Sequence, residues 1–98
     1  MKYKVGDKVK IKTWKEMEKE YGLTERRNIN LRPYFMKEME EQLNENFLDR
    51  IIKIKENTKD GYRIKEMGCY WSDEMIKELI IPEPIYSRFE ILDIREEE

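Results

Sequence analysis

Apolar and polar residues alternate along three short stretches of this chain and recur every three to four residues along two longer ones. The alternating stretches are Val5-Gly6-Asp7-Lys8-Val9-Lys10-Ile11-Lys12, Ile51-Ile52-Lys53-Ile54-Lys55 and Tyr62-Arg63-Ile64-Lys65. Successive strand side chains point to opposite faces, so each stretch predicts a half-buried strand with a cationic outer side. Paired together, the strands would put Lys8, Lys10, Lys12, Lys53, Lys55, Arg63 and Lys65 on one sheet face.

The first helical stretch begins at Thr13. Thr13 and Glu16 have the spacing of a capping box, and Trp14, Met17 and Tyr21 form one apolar stripe. Gly22 is placed to end that helix. Pro33 suits the first turn of a second helix running to about Asn44, with Phe35, Met36, Met39 and Leu43 inward and Glu38, Glu40, Glu41 and Glu45 toward water. Between the helices, Thr24 to Arg32 shows no period and reads as a loop. It carries Arg26, Arg27 and Arg32 beside Asn28 and Asn30, side chains that suit either an ordinary polar connection or recognition on an exposed loop.

The second half switches to alternation. A strand from Phe47 through Ile54, the turn Asn57-Thr58-Lys59-Asp60-Gly61 and a return from Tyr62 to Met67 predict a hairpin. Gly68 breaks the pattern. Ser72 would then cap a short helix with Asp73 and Glu74 in its first turn and Met75, Ile76 and Leu79 on its apolar side. Leu79 to Ile81 reads as a brief strand stopped by Pro82 and Pro84, and Arg88 to Ile94 as the last strand. Glu96 to Glu98 form a frayed acidic tail. With no repeat or linker, residues 1–98 are expected to form one domain, with a helical insertion over about 14–45.

Charged residues make up 43% of the chain, against roughly 25% in ordinary soluble proteins. Eleven aromatics and twelve isoleucines, spread along the chain, nevertheless favour a folded domain over disorder. The net charge of −2 is uneven: residues 1–12 hold five lysines against Asp7, while the helices hold most of the acid in the first half. The absence of histidine excludes Ser-His-Asp and Cys-His catalysis and imidazole metal sites. The single cysteine, Cys69, excludes an internal disulfide and a thiolate zinc cluster, and reads as a small core residue. No apolar run is long enough to span a bilayer, and the start shows no signal-peptide pattern, so a cytoplasmic setting is expected. The absence of alanine, with abundant Lys, Ile, Glu, Asn, Tyr and Met, matches AT-rich codons and points to a low-GC bacterium or an element living in one.

Three constellations are candidates for contact with a partner. The lysine-rich face suits phosphates or an acidic protein patch, and reads equally as a solvated face whose lysines keep edge strands from aggregating. Glu16, Glu18, Glu20, Glu38, Glu40, Glu41 and Glu45 on the helices could mimic nucleic-acid phosphates toward a basic protein. Tyr70 and Trp71 fit either an exposed aromatic contact or a plug for the end of a small core. The carboxylates show no spacing for acid–base catalysis or calcium binding, so no enzyme activity, metal or cofactor is expected.

The segment Val5-Gly6-Asp7-Lys8-Val9-Lys10-Ile11 resembles the opening strand of SH3-like small barrels, including KOW-type modules. Tyr62-x-Ile64 followed by Tyr70-Trp71-Ser72-Asp73-Glu74-Met75 resembles small, uncharacterised proteins of phages and prophages in low-GC bacteria. Those proteins pair a Val-Gly-Asp start with a Trp-Ser/Thr-x-x-Met segment. The resemblance implies an α+β fold: an SH3-like barrel of four to five antiparallel strands with two helices inserted after the first. It also implies a non-enzymatic phage or mobile-element accessory protein that binds a macromolecule, with a protein partner, inside a bacterial host cell. The alternatives are an anti-CRISPR-like inhibitor of a host defence nuclease acting through the acidic helices, and a nucleic-acid binder acting through the lysine face.

Overall fold

The computed structural model describes residues 2–81. The expected strand over Arg88 to Ile94, the prolines before it and the acidic tail lie outside the described residues.

The chain opens with a tight turn. Gly6 takes a φ of 94°, and Asp7 ties the turn through an N–H···O bond to the Lys4 carbonyl and a carboxylate that accepts from the Lys4 N–H. Strand β1 follows (Lys8–Ile11) with Val9 and Ile11 buried, as the alternation predicts. Helix α1 (Trp14–Tyr21) starts with the expected capping box between Thr13 and Glu16. It buries Met17, packs Trp14 and Tyr21 partly against the core, and ends at Gly22 with a φ of 75°.

The connection to the second helix is more structured than its polarity implies. Ile29 makes single β-bridges to Leu23 and Phe35 and is fully buried, with Leu31 beside it. Ile29 and Leu31 alternate with Asn28, Asn30 and Arg32, but over only five residues, which is why the segment reads as an ordinary loop. Helix α2 spans Lys37–Asn46. Pro33 therefore stands before the helix rather than in its first turn, after a cis Arg32–Pro33 peptide bond. Phe35, Met39 and Leu43 are buried as expected.

Strands β2 (Ile51–Lys53), β3 (Glu56–Thr58) and β4 (Gly61–Arg63) come next. The predicted hairpin forms only at its tip, where Glu56 pairs Arg63 and Thr58 pairs Gly61. Its base diverges because β2 pairs β1 instead, with Lys8 opposite Lys53 and Lys10 opposite Ile51. Ser72 caps no α-helix. A single 3-10 turn, Asp73–Met75, leads directly into strand β5 (Ile76–Ile80), which pairs the other edge of β1. Leu79 thus lies in a strand and is exposed, while Met75 and Ile76 join the core.

The result is an α+β fold with two helices and two antiparallel sheets, ordered β2-β1-β5 and β3-β4. The described strands do not close into a barrel. Phe35 and Trp71, with ring centroids 5.9 Å apart, lie in the core that joins the helices to the sheets. Among the described residues, no helix is long and apolar enough to cross a membrane.

Candidate functional site

The lysine-rich face does not form as one surface. Lys12 turns toward α1, where its Nζ lies 3.2 Å from Glu20 and donates to the Tyr21 hydroxyl. Burial alone would lower its pKa, but the hydrogen bonds to Glu20 and Tyr21 outweigh it and raise the pKa. Lys10 stands opposite Glu78 across the β1–β5 pair. Arg63 stands opposite Glu56, with its guanidinium 5.7 Å from the Tyr70 ring centroid. Lys8, Lys53, Lys55 and Lys65 remain exposed, and Lys53, Lys55 and Lys65 meet around a shallow groove with Val5 and Ile54. The seven split because β5, α1 and β3 bring Glu78, Glu20 and Glu56 against Lys10, Lys12 and Arg63, which alternation within each strand does not reveal.

The acidic set divides too. Glu16 caps α1 and lies 3.5 Å from Lys77; the backbone N–H of Thr13 is the chief cause of its lowered pKa. Glu18 accepts from the Trp14 indole N–H, and Glu20 pairs with Lys12. Glu40 is bound by Arg50. The Arg50 guanidinium also donates to the carbonyls of Ile11 and Lys12 and to Asn44 Oδ1. Consecutive positive φ values at Asp49 (55°) and Arg50 (61°) turn the chain back so that Arg50 reaches the end of β1. No local pattern signals this pair, whose partners lie in different elements.

Glu38, Glu41 and Glu45 are exposed on α2 and form no ion pair among the described residues. Their spacing of three and four residues puts them along one side of the helix. Glu38 and Glu41 line a cleft of about 440 Å³ that continues to Glu66, with Met36, Met67 and Cys69 supplying apolar walls. The Cys69 thiol is held above its usual range, first by burial and also by the negative charge of Glu38. Both effects disfavour the thiolate form. The cleft was not foreseen, because it joins α2 to the chain after β4.

Tyr70 and Trp71 part company. Trp71 is fully buried, and its backbone exchanges two hydrogen bonds with Tyr62, so it plugs the core and is not a surface contact. Tyr70 is half-buried beside Arg63. No family model, curated protein or solved structure matches this chain.

Proposed function

We propose that this protein is a non-enzymatic binding module, of the accessory kind carried by phages and mobile elements of low-GC bacteria. Its contact surface is the acidic cleft beside α2, and its partner is a basic protein surface. The observation that carries this reading is the grouping of Glu38, Glu41 and Glu66 around walls of Met36, Met67 and Cys69. Carboxylates without internal partners attract lysine and arginine, while thioethers adapt to a variety of apolar side chains. A nuclease of a host defence system presents a basic nucleic-acid channel, so inhibition of such an enzyme is the most specific form of this function. Among the described residues, five antiparallel strands in two sheets, with two helices after the first strand, support reading the scaffold as an open relative of SH3-like barrels.

The test is capture of a partner by the full chain from host lysate, with titration by a synthetic lysine- and leucine-rich peptide. Glu38→Lys with Glu41→Lys should abolish both interactions, whereas Lys8→Glu with Lys53→Glu should leave them intact. Equal binding by both double variants would end this reading.

A second reading keeps nucleic acid as partner through Lys8, Lys53, Lys55 and Lys65. Lys8 and Lys53 face each other directly across β1 and β2, a like-charge pairing that opposes folding unless an anion sits between them.

A further inference from the structure

The turn at Thr24–Asn28 is tied by its own backbone. The Thr24 N–H donates to the Asn28 carbonyl at 2.8 Å, and the Arg27 N–H to the Thr24 carbonyl at 2.9 Å. The Asn28 N–H also donates to Thr24 Oγ1 at 3.2 Å. These bonds hold Arg27 at a φ of 64°, a conformation uncommon outside glycine, asparagine and aspartate. Directly after the turn, buried Ile29 bridges Leu23 and Phe35. The polar turn therefore stands on the core, and its side chains project from a fixed base.

Thr24, Glu25, Arg26, Asn28 and Tyr34 line an open cleft of about 460 Å³, within the range of small-molecule sites. Tyr34 is 39% exposed, and the Arg32 guanidinium lies over its ring, 4.4 Å from the centroid. Arg26, Arg27 and Arg32 are exposed and form no ion pair among the described residues.

This combination is selective in its chemistry. Guanidinium forks bind phosphate oxygens in pairs, and an aromatic ring or a guanidinium plane stacks a nucleobase. The Asn28 amide and Thr24 hydroxyl offer both donors and acceptors to a base edge. An acidic peptide would use the cations but leave the tyrosine idle, so the ring decides between the two ligands.

We propose that this cleft binds a nucleoside phosphate unit, with the base against Tyr34 and Arg32 and the phosphate on Arg26, the neighbouring Arg27 adding positive charge at its rim. The unit is either a free nucleotide or one residue of a single strand. The site is separate from the acidic cleft and does not rest on the function proposed for it.

The experiment uses the full chain at low salt. Anisotropy of labelled oligothymidylate and oligouridylate reports strand binding, and saturation-transfer NMR with AMP and UMP reports free nucleotides. Tyr34→Leu should weaken binding roughly five- to tenfold, the equivalent of about 1 kcal/mol of lost stacking. Arg26→Ala should weaken it similarly. Arg27→Gly removes a charge while relieving the backbone, so it should weaken binding and leave the melt intact or raise it. Binding of mononucleotides identifies a free-nucleotide site, and binding of oligomers alone identifies a strand site. The proposal is overturned if the chain binds neither, or if inorganic phosphate competes as well as AMP. It is also overturned if Lys8→Glu with Lys53→Glu abolishes binding while the Arg26 and Tyr34 variants retain it.

Discussion

Arg50 and Glu40 grip each other through two N–H···O bonds of 2.7 Å, with side chains only 14% and 21% exposed. The same guanidinium donates to the carbonyls of Ile11 and Lys12, so one side chain fastens α2 to the end of β1. Arg50→Ala would leave Glu40 without its cation and two carbonyls without their donor. The expected loss is about 2–4 kcal/mol, larger than for any exposed ion pair of this protein. Urea unfolding of Arg50→Ala, Glu40→Gln and the double variant checks this, with a coupling energy of at least about 1 kcal/mol expected.

Gly61 has a φ of 143°, and a Cβ there would lie 2.8 Å from the Trp71 carbonyl oxygen and 3.1 Å from Tyr70 Cβ. The glycine thus serves the approach of β4 to the Trp71 segment as well as the hairpin turn. Gly61→Ala should already destabilise by about 1–3 kcal/mol, and Gly61→Val by more. A thermal melt of each variant reads this directly.

The Tyr62 hydroxyl, deep in the fold, accepts from the Tyr3 N–H at 2.8 Å and donates to Asp73, tying the N-terminal segment to the 3-10 turn. Burial first, and then the Asp73 hydrogen bond, push the phenol up to about 12. The folded pKa lies above the unfolded value of roughly 10, so the folded state favours the neutral phenol. That contribution is complete below pH ~10 and is lost as pH rises toward ~12. Tyr62→Phe should lower stability at neutral pH and narrow its difference from the parent as pH climbs through that window. A constant difference at every pH would contradict this.

Lys8 opposite Lys53 predicts an unusual gain. Lys53→Glu turns a repulsive cross-strand pair into an attractive one and should stabilise the fold by roughly 0.2–1 kcal/mol, less at high salt. If instead the lysines hold nucleic acid through about four phosphate contacts, log affinity should fall with log salt at a slope of about −3 to −4. The same variant would then flatten that slope. Melts and salt titrations of one protein report both.

Glu38→Lys with Glu41→Lys should cost about 1 kcal/mol or less, mostly by reversing the Glu38 charge in the first turn of α2, because both side chains are exposed and unpaired among the described residues. Loss of partner capture by that variant would then reflect the surface and not the fold.

Features that depend on near neighbours are legible in the chain alone. The Thr13–Glu16 cap, the inward stripe of α1, the stop at Gly22 and the burial of Val9, Ile11, Ile52 and Ile54 all follow from spacing of a few residues. Such features rest on backbone geometry and on which side chains water rejects, and both are written locally. Strand pairing, by contrast, is settled by long-range packing. Once β5 and α1 took their places beside β1, Lys10 and Lys12 faced Glu78 and Glu20, while Lys8, Lys53, Lys55 and Lys65 stayed exposed. Tertiary packing also chose which charges stay available. Glu20 and Glu40 look like their neighbours in the sequence, yet Lys12 and Arg50 reach them from elsewhere in the fold, while Glu38 and Glu41 remain open. A charge satisfied within the fold is a weak candidate for contact with a partner. Its availability depends on long-range pairing, which periodicity does not encode.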